Sequence, residues 1–260
     1  LAAVGSAYTL MIFLISVLLG LSMGSGTVFS LQYGAGDQSA LRRSIFVSFV
    51  LIGTVTLVLN VAVFFWLDPI LRLLQVPQDI YGMMRSYLWI IFWGIAFTFI
   101  YNFYAALLRA VGDSVTPLWF LSISVVLNIV LDLFFILQLD WGIEGAAIAT
   151  IIAQGISALG IAAYTYMQRP ELRLHSADIH FDRTCLKEIT SFSLLTCVQQ
   201  SVMNFGILMI QGLVNSFGTA VMAAFAAAVF LLGLAIINSS LKLLVYSALE
   251  SLTCLESRSL

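Results

Sequence analysis

Two oxygen-bearing side chains four residues apart, Asn128 and Asp132, stand in an otherwise apolar run, WFLSISVVLNIVLDLFFIL. At helical pitch they share one face. An amide carbonyl beside a carboxylate suits a small cation with oxygen ligands, or a proton carried on a tunable acid. An Asp near the centre of a spanning helix costs about 2.5–3.5 kcal/mol on insertion scales, which makes it a functional candidate by default. The alternative is a neutral Asp paired with a neighbouring helix for packing. Two further stripes repeat at helical spacing: Thr150, Gln154 and Ser157 on one face, and Gln200, Asn204, Gln211 and Asn215 on another. Interhelical hydrogen bonds worth about 0.6–2 kcal/mol each would account for a few such groups. Four amides on one stripe exceed that need, so Gln200, Asn204 and Gln211, together with Gln154, are expected to line a substrate cavity.

Enzyme chemistry is not visible in the same residues. There is no HExxH, no DDxxD pair and no P-loop for a nucleotide. Asp113 in AVGD lacks the first glycine of a GxGD protease motif, because that position is Ala110. His175 and His180 have no partner at metal spacing, and Cys185, Cys197 and Cys254 form neither a metal motif nor a disulfide framework. A non-enzymatic protein without a cofactor is expected, with no metal beyond a possible Na+ at Asp132.

The elements that must position these groups follow from composition. Of 260 residues, 61% are hydrophobic and 9% charged, against roughly 45–50% and 25% in a soluble domain. With a mean hydropathy of +1.05 and a net charge of -2, the chain is neither soluble, nor disordered, nor a nucleic-acid binder. An all-α polytopic membrane protein is expected, its partner the lipid bilayer. A span needs about 20 apolar residues, and seven runs qualify: 7–31, 44–67, 86–108, 117–139, 143–167, 191–216 and 219–237. A β-barrel is excluded, because these runs lack the period-two alternation of short strands. Pro69, Pro77, Pro117 and Pro170 read as markers of helix ends.

Lys and Arg number seven in the loops 32–43, 109–116 and 168–190, and two in the loops between the other span ends. The positive-inside rule puts the first set in the cytoplasm and Leu1 outside, so at least one helix is expected to precede Leu1. The stretch 68–85 reads as a short amphipathic piece at the outer interface, and 168–190 as a solvated linker. Gly20, Gly24 and Gly26 give the first span a small-residue face for close packing. The opening LAAVGSA also resembles MAAFAAA at 222–228, at an offset of 221 residues. Internal symmetry of this kind is a feature of transporters.

LLRAVGDSVTP at 107–117, then Asn128 and Asp132, then GIEGAAIAT at 142–150, resembles the first half of multidrug and toxic compound extrusion (MATE) transporters. QYGAGD at 32–37 and NSFGTAVMAAFAAA at 215–228 are similar to two further signatures of that family. The resemblance implies a fold of two six-helix lobes. This chain would supply an amino-terminal lobe lacking its first helix (1–167), the inter-lobe linker (168–190), the start of the second lobe (191–229) and a divergent or truncated tail (230–260). It also implies efflux of organic cations or amphipathic drugs across the plasma membrane, coupled to inward Na+ or H+, with Asn128, Asp132 and Thr150 as the cation site. That family's site also uses an Asp on the first helix, which this chain lacks, and 191–216 carries no acidic residue. The rival readings are a lipid-linked oligosaccharide flippase of the same superfamily, which would need basic residues in its cavity, or a membrane-embedded protein that does not transport.

Overall fold

The computed structural model describes residues 2–175, 178 and 182–229. They form a bundle of helices: α1 (Ala2–Gly34), α2 (Gln38–Leu73), α3 (Gln78–Trp93), α4 (Ile95–Ala110), α5 (Val115–Leu133), α6 (Gly142–Gln168), α7 (Arg183–Ser216) and α8 (Thr219–Val229). A π-helical turn, Phe134–Gln138, extends α5, and a single 3-10 turn, Pro170–Leu172, follows α6. Five helices are long and apolar enough to cross a membrane, or six when α3 and α4 count as one bent span. The expected all-α membrane architecture is therefore present. Of the expected seventh span, 219–237, the part beyond Val229 lies outside the described residues, as do the whole tail at 230–260, His180 and Cys254.

Helix starts follow from local chemistry. The carboxylates of Asp37, Asp113 and Asp182 accept the backbone N–H groups of Ala40, Thr116 and Thr184 at 2.9, 3.0 and 2.8 Å. Each satisfies an orphan donor in the first turn of α2, α5 or α7 and sets a negative charge against the positive end of the helix dipole. Gly36 and Gly112 turn the chain after α1 and α4 with φ of 75° and 89°, a backbone region open to glycine at little cost.

The core lies where α1, α2, α3 and α4 meet. Phe29, Phe49, Phe99 and Phe103 meet there in tilted and edge-to-face contacts, with ring centroids 5.2–6.1 Å apart. α6 packs on α3 and α4, and α7 runs antiparallel along α1. α5 is outermost, leaning on α6 with only Pro117 buried.

Three sequence expectations are corrected. The stretch 68–85 is not a loop: α2 continues through Pro69 to Leu73, and α3 opens at Gln78. Leu67 before the proline and Leu71 and Leu74 beyond it are buried at helical spacing, and Asp68 accepts hydrogen bonds from Tyr81 and Arg85 at 2.9 and 2.8 Å. Packing and this ion pair together outweigh the one backbone bond that proline removes. Second, the run 86–108 is not one straight helix but part of a pair bent by 48° at Gly94. Third, Arg183 and Lys187, counted with the solvated linker, stand in the first turns of α7.

Candidate functional site

A cavity of about 380 Å³ opens among α1, α4, α5 and α6, within the range of roughly 300–1,000 Å³ usual for small-molecule sites. Each helix contributes one face. α4 supplies Thr98, Tyr101 and Asn102, α5 supplies Leu121, Ser124, Val125 and Asn128, and α6 supplies Thr150, Ala153, Gln154 and Ser157. These spacings of three and four residues are what a single stripe of an α-helix presents. Ile15 and Leu19 of α1 close the apolar side, and no charged residue lines the space.

The polar groups are tied to one another in a definite sense. Asn128 donates from Nδ2 to the Thr150 hydroxyl at 3.2 Å, and that hydroxyl donates to the Ala146 carbonyl at 2.9 Å. Asn102 donates to the Thr98 carbonyl at 2.8 Å. The Thr98 hydroxyl lies 3.1 Å from Gln154 Oε1 and 3.3 Å from the Gly94 carbonyl, and its one proton serves these two acceptors. Ser157 donates to the Phe120 carbonyl at 2.8 Å, and the Tyr101 hydroxyl to the Pro117 carbonyl at 2.9 Å. With those donors committed, the carbonyl oxygens of Asn102 and Asn128 remain as acceptors.

Asp132 stands one turn beyond Asn128 on α5, just before the π-helical turn. Its Oδ1 is buried and has no hydrogen-bond partner among the described residues. It makes no bond to Asn128 or Thr150 and is not part of the cavity wall, but it lies within electrostatic reach of Tyr87 on α3. Buried polar atoms are nearly always paired, so an unpaired carboxylate oxygen calls for a counterpart.

The α7 amides are not on the wall of this cavity. Gln200 Nε2 is 3.9 Å from Met23 Sδ of α1, and Asn204 donates to the Gln200 carbonyl at 2.9 Å. Gln211 donates to Asn215 at 2.9 Å, and Asn215 donates to the Leu74 carbonyl at the end of α2 at 2.8 Å. Asn204 and Gln211 are 8% and 4% exposed, closed off by helix packing. The neighbouring contacts explain why: Ser193 of α7 donates to the Leu21 carbonyl and meets Ser25, both at 3.1 Å. A β-carbon on Gly20 or Gly24 would overlap the α7 backbone at Cys197 or Ser193. Of this stripe, Gln200 meets α1 and Asn215 the end of α2, while Asn204 and Gln211 bond within α7.

Sequence reasoning passed over Thr98 and Asn102. Their four-residue spacing in an apolar run was a usable signal, masked by the aromatics around them. Of those aromatics, Trp89 and Trp93 pack against Phe64 at 4.6 and 5.2 Å rather than lining the cavity.

The chain resembles known proteins in sequence and in fold. A family model described as MatE matches residues 1–134. The chain is 35% identical over 226 residues to the probable multidrug resistance protein YpnP of Bacillus subtilis, covering 87% of this chain and 50% of that protein. It is 29% identical over 198 residues to the probable multidrug resistance protein NorM of Thermotoga maritima, covering 74% and 42%. The fold superposes on the inward-facing conformation of a multidrug resistance MATE family transporter of the MOP superfamily with a TM-score of 0.82, at 24% identity over 91% of this chain and 54% of that one. On the outward-facing conformation the TM-score is 0.79, at 23% identity over 91% and 53%. The chain spans about half the length of the curated relatives it matches.

Proposed function

The chain belongs to the MatE family of membrane transport proteins, and from that premise we propose that it forms the substrate and ion site of a secondary efflux transporter. The substrates are organic cations or other amphipathic compounds, exported from the cell across the plasma membrane against inward flow of Na+ or H+. The observation that carries this reading is the unpartnered Asp132 oxygen one turn from the Asn128–Thr150 pair on the cavity wall.

The cavity suits such a substrate. Its wall offers apolar surface and neutral amide carbonyls, which accept from the N–H groups of an ammonium or guanidinium without a desolvated counter-charge. A pyrophosphate headgroup would instead call for basic residues, and this wall has none. Asp132 alternates between holding a cation and holding a proton or standing empty. Asn128 and Thr150 supply neutral oxygens in the bound state. Any change in how α5 sits on α6 then moves the cavity wall, because Asn128 and Thr150 join those helices. Ion and substrate thereby bias the same packing, which is the condition for coupling.

The test is efflux from proteoliposomes containing the full-length protein, with ethidium as substrate and an imposed Na+ or H+ gradient. Asp132→Asn keeps the shape and removes the charge, and is expected to abolish gradient-driven efflux while leaving equilibrium ethidium binding in place. Wild-type efflux rates in the Asp132→Asn protein would show that the ion site lies elsewhere.

A further inference from the structure

The span made by α3 and α4 is bent by 48° at Gly94, and two other helices hold the bend. From α2, Asn60 donates its side-chain N–H to the Phe92 carbonyl at 2.7 Å. From α6, Gln154 meets the hydroxyl of Thr98, in the first turn after the break, at 3.1 Å. The Gly94 N–H turns to the Ile91 carbonyl at 2.8 Å, a tighter closure than an α-helical turn. Gly94 also lets α6 come near: a β-carbon there would lie 3.0 Å from the Ile91 carbonyl oxygen and 3.1 Å from Ile151 Cγ1.

A bend in a soluble helix hands its freed carbonyls to water, but hydrocarbon offers no donor. A straight α3–α4 helix would satisfy the Phe92 carbonyl from the N–H of Ala96, four residues on. At the bend the Phe92 carbonyl accepts a backbone N–H of the break and, on its second lone pair, the Asn60 N–H; straightening would re-aim that carbonyl along the helix axis and away from Asn60. The Asn60 bond therefore stabilises the bent form relative to the straight one. Asn60 takes no part in the cavity wall, yet the bend decides where α4 carries Thr98, Tyr101 and Asn102, which do line it.

We propose that Asn60 is a positioning residue for the cavity: by holding the Phe92 carbonyl at the bend, it sets the direction in which α4 presents its polar face to the bound compound. Its meaning for binding rests on the cavity being the transport site, and the experiment separates the two ideas.

In the full-length protein with its native cysteines replaced, spin labels go on Met83, half-exposed on α3, and on Arg109, exposed at the end of α4. At a rise of about 1.5 Å per residue, straightening the 48° bend lengthens that distance by roughly 3 Å. Asn60→Leu, close in volume and without a donor, is expected to shift the distance distribution upward by that amount and to raise the ethidium Kd about tenfold. Asn60→Gln, which keeps the donor, restores both toward wild type. Where Asn60→Leu is too unstable to purify, Asn60→Ala is read with the same labels. An unchanged distance in the donor-free variants overturns the positioning role, whatever ethidium does. A lengthened distance with unaltered ethidium affinity overturns the cavity as the binding site and leaves the role of Asn60 in the bend standing.

Discussion

Asn128 on α5 and Thr150 on α6 are joined side chain to side chain at 3.2 Å, and the direction of that bond is set by a third group. The Thr150 proton goes to the Ala146 carbonyl, so Thr150 can only accept from Asn128, and the amide must turn its N–H₂ toward it. The Asn128 carbonyl oxygen is thereby left for a ligand, one helical turn from the unpartnered oxygen of Asp132.

Removing the Thr150 hydroxyl undoes this orientation. Thr150→Val keeps the volume and leaves the Asn128 amide free to flip, and is expected to raise the concentration of Na+ or H+ needed to release bound ethidium about tenfold, some 1.4 kcal/mol. Thr150→Ser is expected to titrate like wild type. Equal curves for Val and Ser would show that the hydroxyl has no part in the ion site.

Gln154 and Gln211 are both membrane-depth amides, but the first lines the cavity and the second is packed away from it. Gln154→Leu removes an acceptor and a donor from the cavity wall and is expected to weaken ethidium binding several-fold. Gln211→Leu takes a donor from buried Asn215 and is expected to lower the melting temperature, with a cost of about 1–2 kcal/mol and ethidium affinity retained. Binding isotherms beside melting curves decide it, and the reverse pattern would assign the binding wall to α7.

The three glycines of GLSMGSG are not equivalent. Gly24→Val forces α1 off the α7 backbone at Ser193 and is expected to destabilise by about 1–3 kcal/mol or more, as overpacking does. Gly26→Ala meets Ala106 at an ordinary 3.5 Å and is expected to melt within a degree or two of wild type. Equal melting temperatures for the two would rule out the close α1–α7 approach.

At the end of α6, Arg169 reaches Asp113 at 3.0 Å, fastening α6 to the start of α5. Burial pushes the Asp113 carboxyl up, but the Thr116 N–H, the Arg169 guanidinium and the Thr116 hydroxyl more than reverse this, holding it below the usual carboxylate range. A pKa lowered on folding contributes stability in full above the unfolded value, about 3.9, and loses it as pH falls through the folded one. Melting temperatures are therefore expected to drop as pH falls below about 4, and Arg169→Gln should lose part of that dependence. Parallel pH curves for both proteins would remove Asp113 from the account.

Much of this protein is legible in local sequence. Long uncharged runs dictate a helical membrane bundle, because only a helix satisfies its own backbone in hydrocarbon. The periodicity of Asn128 with Asp132, and of Thr150 with Gln154 and Ser157, identifies faces, because spacing along one helix fixes angle around it. Spacing does not say which neighbour a face meets. The Gln200, Asn204 and Gln211 stripe reads as a cavity wall for that reason, yet none of the three is on the wall of the cavity among α1, α4, α5 and α6. Gly24 and Gly26 read alike until α7 is laid against one and Ala106 against the other. Pro69 marked a helix end by its own chemistry, but buried leucines and the Asp68–Arg85 pair carry α2 past it. The bend at Gly94 and the role of Asn60 lie furthest from view. Asn60 and the Phe92 carbonyl it bonds are 32 residues apart, and they come together only in the folded bundle.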